Sequence, residues 1–124
     1  MYRGLTEEEV YNMPIDYRKA MEDFNYLIDR ISDRLPQDIR DDAARCISIF
    51  RLSGKIEPLS SELRFDFCLV VPEDMVHSVY KLRVSEASLG VLTEIDWPVT
   101  DSFQIKKILT NLNIKWSVSS RKVQ

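Results

Sequence analysis

Midway along the chain the spacing of apolar residues changes from about 3.6 to 2. That single change restricts the fold more than any motif does. Before Gly54 the pattern is helical. Tyr17, Met21, Phe24, Ile28, Ile31 and Leu35 recur in steps of four and three, with Ala20 and Leu27 widening the stripe. Residues so spaced share one face of a helix. Asp16, Glu22, Asp23, Asp29 and Asp33 lie off that face. Pro36 ends or bends this helix and suits the first turn of the next. There Ile39, Ala43, Cys46, Ile47 and Phe50 form a second stripe, with Gly54 as C-cap. The very short joint predicts an antiparallel helical hairpin. Upstream, Thr6 and Glu9 fit a capping box, flanked by Leu5 and Val10 as a hydrophobic staple. They predict a short helix over 7–12, stopped at Met13-Pro14.

Beyond Gly54 the pattern alternates. Leu63, Phe65, Phe67, Leu69 and Val71 alternate with Glu62, Arg64, Asp66 and Cys68, which predicts a strand over 62–71 with one buried face. A turn at Pro72-Glu73-Asp74 leads to a second strand over 76–84. Val76, Tyr80, Leu82 and Val84 share its apolar face, and His77, Lys81 and Arg83 lie opposite. A turn over 85–88 leads to a third strand over 89–97. Here Leu89, Val91, Thr93, Ile95 and Trp97 point one way and Glu94 and Asp96 the other. Asp101 and Gln104 resemble a second capping box, opening a helix to about Asn111 with Ile105, Ile108, Leu109 and Leu112 inward. Ile114, Trp116 and Val118 mark a last short strand, with fraying from about Ser120. The expected fold is α+β, one domain over 1–124: a short helix and a helical hairpin packed on a mainly antiparallel four-stranded sheet, with one further helix before the last strand. Helices cover the apolar sheet face, and the polar face is left open or held for a partner.

The composition narrows the function classes. The chain has 124 residues, 44% hydrophobic and 30% charged, with a net charge of −3. That balance excludes a collagen, a coiled-coil rod, a disordered tail and a disulfide scaffold. No apolar run reaches the ~20 residues of a membrane helix. The start, Met-Tyr-Arg-Gly-Leu-Thr-Glu-Glu-Glu, lacks the apolar core of a secretory signal, so a cytoplasmic location is expected. Cys46 and Cys68 read as free thiols. Charge is unevenly divided: residues 1–101 hold 20 acids against 12 bases, a net of −8, whereas residues 102–124 hold five bases and no acid. Five bases without Arg-aromatic interleaving argue weakly for nucleic acid, and the overall acidity argues against it.

Few residues offer chemistry. His77 is the only histidine and falls on a polar strand face, where an exposed bystander is expected rather than a general base. Three dispersed Cys and His residues fall short of a structural zinc site. Three isolated glycines exclude the phosphate-binding loops. No cofactor is implied, and enzymatic activity is not favoured. The acids are the main resource. Glu94 and Asp96 share a strand face, with Asp66 and Glu62 as neighbours, and Arg64, Lys81 and Arg83 as cross-strand partners. Asp38, Asp41 and Asp42 open the second hairpin helix, and Asp29 and Asp33 end the first. The function expected is a small acidic protein-binding module, of inhibitor, immunity or chaperone type. It would bind a basic protein partner such as a toxin through Asp29, Asp33, Asp38, Asp41, Asp42, Glu94 and Asp96. The alternative is a ligand-binding or enzymatic pocket on a curved sheet. A homodimer paired through the polar sheet face is a further arrangement.

Overall fold

A computed structural model describes residues 14–71, 79–98 and 102–122. Helix α1 spans Tyr17–Ile31. Asp16 caps it, its carboxylate accepting from the Lys19 N–H at 3.1 Å. Ala20, Met21, Phe24, Leu27, Ile28 and Ile31 are buried, the face the spacing predicts. The helix stops at Ile31, earlier than Pro36 requires. Ser32 donates both its hydroxyl, at 3.1 Å, and its N–H to the Asp29 carbonyl, and a 3-10 turn follows over Ser32–Arg34. Leu35 is then extended, as a residue before proline must be. Helix α2 spans Gln37–Ser53 and ends at Gly54, whose φ of 73° permits the left-handed cap. Arg51 near the end of α2 pairs with Glu22 near the start of α1 at 3.3 Å, so the two helices run antiparallel.

The remaining elements are β1 (Leu63–Val71), β2 (Val79–Glu86), β3 (Gly90–Pro98), α3 (Ser102–Asn111) and β4 (Lys115–Lys122). The strands lie in the order β3-β2-β1-β4. β2 is antiparallel to both β1 and β3, whereas β4 runs parallel to β1. Helix α3 makes that arrangement available, because a parallel neighbour needs a crossover longer than a turn. The fold is α+β with a mixed, mostly antiparallel sheet.

One apolar cluster joins the layers. Phe65, Phe67, Tyr80, Leu82, Val84 and Trp97 from the sheet meet Phe24, Leu27 and Ile31 of α1 and Ile105, Ile108 and Leu109 of α3. Each such side chain contributes roughly 1.5–3 kcal/mol relative to leaving it in water. Trp97 is 1% exposed; Trp116 is only partly buried. Lys106 is also buried, a position the alternation of α3 does not reveal. Its ammonium lies 5.1 Å from the Tyr80 ring centre, 5.5 Å from that of Phe67 and 5.9 Å from that of Trp116. Three aromatic faces thus meet one cation.

Several expectations are corrected. β2 continues through Glu86, so the turn occupies Ala87–Leu89 rather than 85–88. β4 stays paired through Lys122 and does not fray from Ser120. Leu89 and Val91 do not face the core: they are 58% and 60% exposed. The cause is a β-bulge. Val84 pairs with Thr93 and Ser85 with Val91, so Leu92 is an extra residue, and the alternation of β3 reverses across it. Gln104 does not turn back on its own helix; its side-chain oxygen accepts the Asp16 N–H at 3.0 Å, tying α3 to the cap of α1. The helix over 7–12, the start of the second strand with Val76 and His77, and Asp101 lie outside the described residues.

Candidate functional site

The acids proposed for binding are not one surface, and the structure separates them into three environments. Glu94 and Asp96 stand on the open sheet face with Asp66. Each is met by a base on the neighbouring strand or its own: Asp96 by Lys81 at 2.5 Å, Glu94 by Arg83 at 3.4 Å, Asp66 by Arg64 at 2.9 Å. Asp66 also accepts from the Ser117 hydroxyl. Acid and base alternate there, so the face is electrostatically balanced. Glu62 does not join it.

Asp29 and Asp33 form the second group, around the end of α1. Both are exposed. Asp33 lies 4.0 Å from the Arg34 guanidinium. Arg30 departs from this acidic character. It stacks 5.9 Å from the Tyr26 ring and 5.8 Å from the Trp97 ring, and donates to the Asp96 carbonyl at 3.0 Å.

The third group is a cleft of about 630 Å³ between the start of α2, the segment before β1 and the β2–β3 turn. Asp38, Asp42, Glu62 and Glu86 line it with Ser60, Ser61, Ser88 and Leu89, and no lysine or arginine is among its lining residues. Asp41 stays outside, accepting from the Gln37 side chain at 2.8 Å.

The four carboxylates of the cleft differ in what holds them. Asp42 is engaged on both oxygens. It accepts the N–H groups of Ser60 at 2.8 Å and Ser61 at 3.0 Å, both serine hydroxyls, and an Arg45 N–H at 2.9 Å. Burial pushes its pKa up, but the Arg45 bond and the serine donors together outweigh that and hold it below the ordinary value. Arg45 in turn donates to the Pro58 carbonyl at 3.2 Å. Asp42 therefore ties the 58–61 segment to α2. The adjacent Cys46 is buried, and burial pushes its thiol up against the opposing influence of Arg45. Cys46 and Cys68 are free thiols.

Glu86 is a second clamp. It accepts the Ser88 hydroxyl at 2.8 Å and the N–H groups of Leu89 at 2.8 Å and Ser88 at 3.0 Å. These donors, the Ser88 hydroxyl first, lower its pKa against a smaller opposing effect of burial. The turn is thus locked around a carboxylate, and Leu89 is held at the rim of the cleft. Asp38 makes one side-chain bond, to the Ile39 N–H at 3.0 Å. Glu62 makes no side-chain bond among the described residues; its carbonyl accepts the Ala87 N–H at 3.1 Å. Asp38 and Glu62 are the two carboxylates with capacity left for a partner.

Of the seven proposed positions, then, Asp38 and Asp42 meet in this cleft, and Asp42 is structural. Glu62 and Glu86 belong to the cleft and were not assigned to it by sequence reasoning. No periodicity links them to α2; the bond from Ala87 to Glu62 brings their segments together. Among the described residues no group of three His, Cys, Asp or Glu side chains is placed to hold a metal ion. No described helix is long and apolar enough to cross a membrane. The chain matches no protein-family model, no curated protein and no solved structure.

Proposed function

We propose that this protein is a binding module for a basic protein partner, and that the cleft between α2 and the β2–β3 turn receives it. The observation that carries this reading is a cleft with four carboxylates and no base in its lining, beside a sheet face whose acids are already matched by bases. Arg45 already meets Asp42; the negative charge left without a base at Asp38, Glu62 and Glu86 speeds the encounter with a cationic surface and rejects acidic ones. Asp38 and Glu62 are the contacts; Asp42 and Glu86 shape the cleft, and Glu86 adds its charge. Leu89, exposed at the rim, supplies apolar contact area. An inhibitor or immunity-type role, in which the module masks the basic surface of a toxin, is the form of this function with the simplest chemistry. A chaperone-type role uses the same contact. The two free thiols are compatible with a cytoplasmic setting.

The test uses the tagged protein and an Asp38→Asn/Glu62→Gln variant side by side, to capture partners from native lysate at low and moderate salt. The expected result is one stoichiometric basic protein, retained at moderate salt. The variant should lower its association rate by about tenfold at low salt. Equal binding by both proteins, or no basic partner, overturns the reading.

A further inference from the structure

Between Gly54 and β1 the chain has no regular structure. Gly54, at φ 73°, turns it out of α2. The next fixed point is Glu62, whose carbonyl accepts the Ala87 N–H, followed by the first β1 pair, Leu63 with Glu86. Within residues 55–61 Leu59 alone is buried, and Ile56 and Ser61 are partly so; Lys55, Glu57, Pro58 and Ser60 are exposed. Few bonds hold this stretch to the body. The Leu59 N–H donates to the Leu112 carbonyl at 2.9 Å. The Pro58 carbonyl accepts from Arg45 at 3.2 Å. Ser60 and Ser61 give both N–H groups and both hydroxyls to Asp42. One carboxylate thus takes most of the polar contacts, and one leucine is the buried anchor.

Asp42 and Cys46 are four residues apart on α2, hence neighbours on one face. Cys46 is fully buried, and its Sγ lies 3.8 Å from the Pro58 carbonyl oxygen. The stretch that Asp42 holds therefore lies against the thiol. The same stretch supplies Ser60 and Ser61 to the acidic cleft.

We propose that residues 58–61 are a strap that opens and closes as one local unit, with Asp42 as its latch and Gly54 and Glu62 as its hinges. Closed, the strap buries Cys46 and completes the cleft. Open, it bares the thiol and takes Ser60 and Ser61 out of the cleft wall. Opening breaks the contacts of one apolar side chain and one carboxylate and leaves the strand pairs intact, so it costs less than unfolding the sheet. The strap goes beyond the binding role of the cleft and does not depend on it. Any ligand that needs this wall binds the closed form alone, and so holds Cys46 out of reach.

Thiol labelling of the full chain tests this, in a Cys68→Ser background so that Cys46 is the one thiol left. The reagent is the aryl disulfide dithiobis(nitrobenzoic acid). The Cys46 thiolate attacks one of its sulfurs, a mixed disulfide forms, and a coloured thionitrobenzoate leaves and is counted. The expected rate changes less than about twofold between zero and about 1 M urea, because a local opening exposes little surface; a route through global unfolding would raise it about fivefold or more. Asp42→Asn should speed labelling by at least about tenfold. Asp42 also raises the thiol pKa by its charge, so Leu59→Ala, which leaves every charge in place, is the deciding variant. It too should speed labelling by at least about tenfold, again with little response to urea. Asp96→Asn, on the sheet face, should leave the rate unchanged. In the labelled protein the Ser60 and Ser61 amides should lose their protection against hydrogen exchange while those of β1 and β2 keep theirs. A rate that climbs steeply with urea overturns the inference, since Cys46 is then reached by global unfolding. So does a rate indifferent to Leu59→Ala, or a labelled protein in which Ser60 and Ser61 stay protected.

Discussion

Asp42 and Asp96 are both aspartates on amphipathic elements, yet the structure uses them in opposite ways. Asp42 has a side chain 10% exposed and accepts from two backbone N–H groups, two hydroxyls and Arg45. Asp96 is 61% exposed and meets one lysine. The first satisfies donors that the chain needs satisfied in order to fold. The second balances a charge that water would otherwise solvate. Charge type alone does not separate a structural acid from an available one; the identity of the donors does. A carboxylate holding backbone N–H groups organises the chain around itself. One facing a flexible ammonium does little to hold the fold.

The largest expected effect follows from that contrast. Asp42→Ala removes the acceptor for Ser60 and Ser61 and leaves Arg45 without its carboxylate. Hydrogen bonds to a charged group contribute about 1.5–3 kcal/mol each, and lost partners near the surface regain water. The variant should therefore lose about 2–3 kcal/mol in urea unfolding. The sign of the pH dependence is fixed by the lowered pKa of Asp42. Its contribution is fully present above the unfolded carboxyl value of 3.8. It is lost as pH falls through the lower folded value. Asp42→Asn should flatten the stability profile in that acid window. A profile as steep as the parent's would break the contrast with Asp96.

Glu86 sharpens the comparison, because it holds backbone N–H groups as Asp42 does but at an exposed turn. Glu86→Ala should leave the unfolding midpoint nearly unchanged while raising hydrogen exchange at Ser88 and Leu89, the two amides it accepts. Fast exchange confined to those amides would show that the clamp is local. A large loss of global stability would place Glu86 beside Asp42 instead.

Much of this was legible in the order of residues. The helical stripe from Ala20 to Ile31 and the alternation from Leu63 to Phe67 correspond to buried faces, because burial of one face is what those periods record. The matching of Arg83 with Glu94 and Lys81 with Asp96 follows from the same alternation once two strands are antiparallel. What escaped depends on single residues out of step or on distant pairing. The bulge at Leu92 inserts one residue, so Val91 looks inward by pattern and points outward in fact. The parallel placement of β4 depends on where α3 lands, and local spacing does not encode that. Asp42 shares its position type with Asp38 and Asp41; only the approach of Ser60 and Ser61 sets it apart. Of the acidic cleft, the α2 half was visible and the Glu62–Glu86 half was not.

The smallest expected effect belongs to the open sheet face. Lys81–Asp96 and Arg83–Glu94 are cross-strand pairs with side chains 39–61% exposed. Exposed pairs gain little over hydration, since holding two long side chains costs entropy and salt screens what remains. A double-mutant cycle on Lys81→Met and Asp96→Asn should give a coupling of about 0.2–1 kcal/mol at low salt. At about 1 M salt, where the screening length is near 3 Å, little of it should remain. The Asp96→Asn change alone should lower stability far less than Asp42→Asn. A coupling above about 2 kcal/mol that persists in salt would mean the pair is desolvated by something lying over the face. The balanced face would then be a covered surface, and the distinction drawn between the two aspartates would be one of degree.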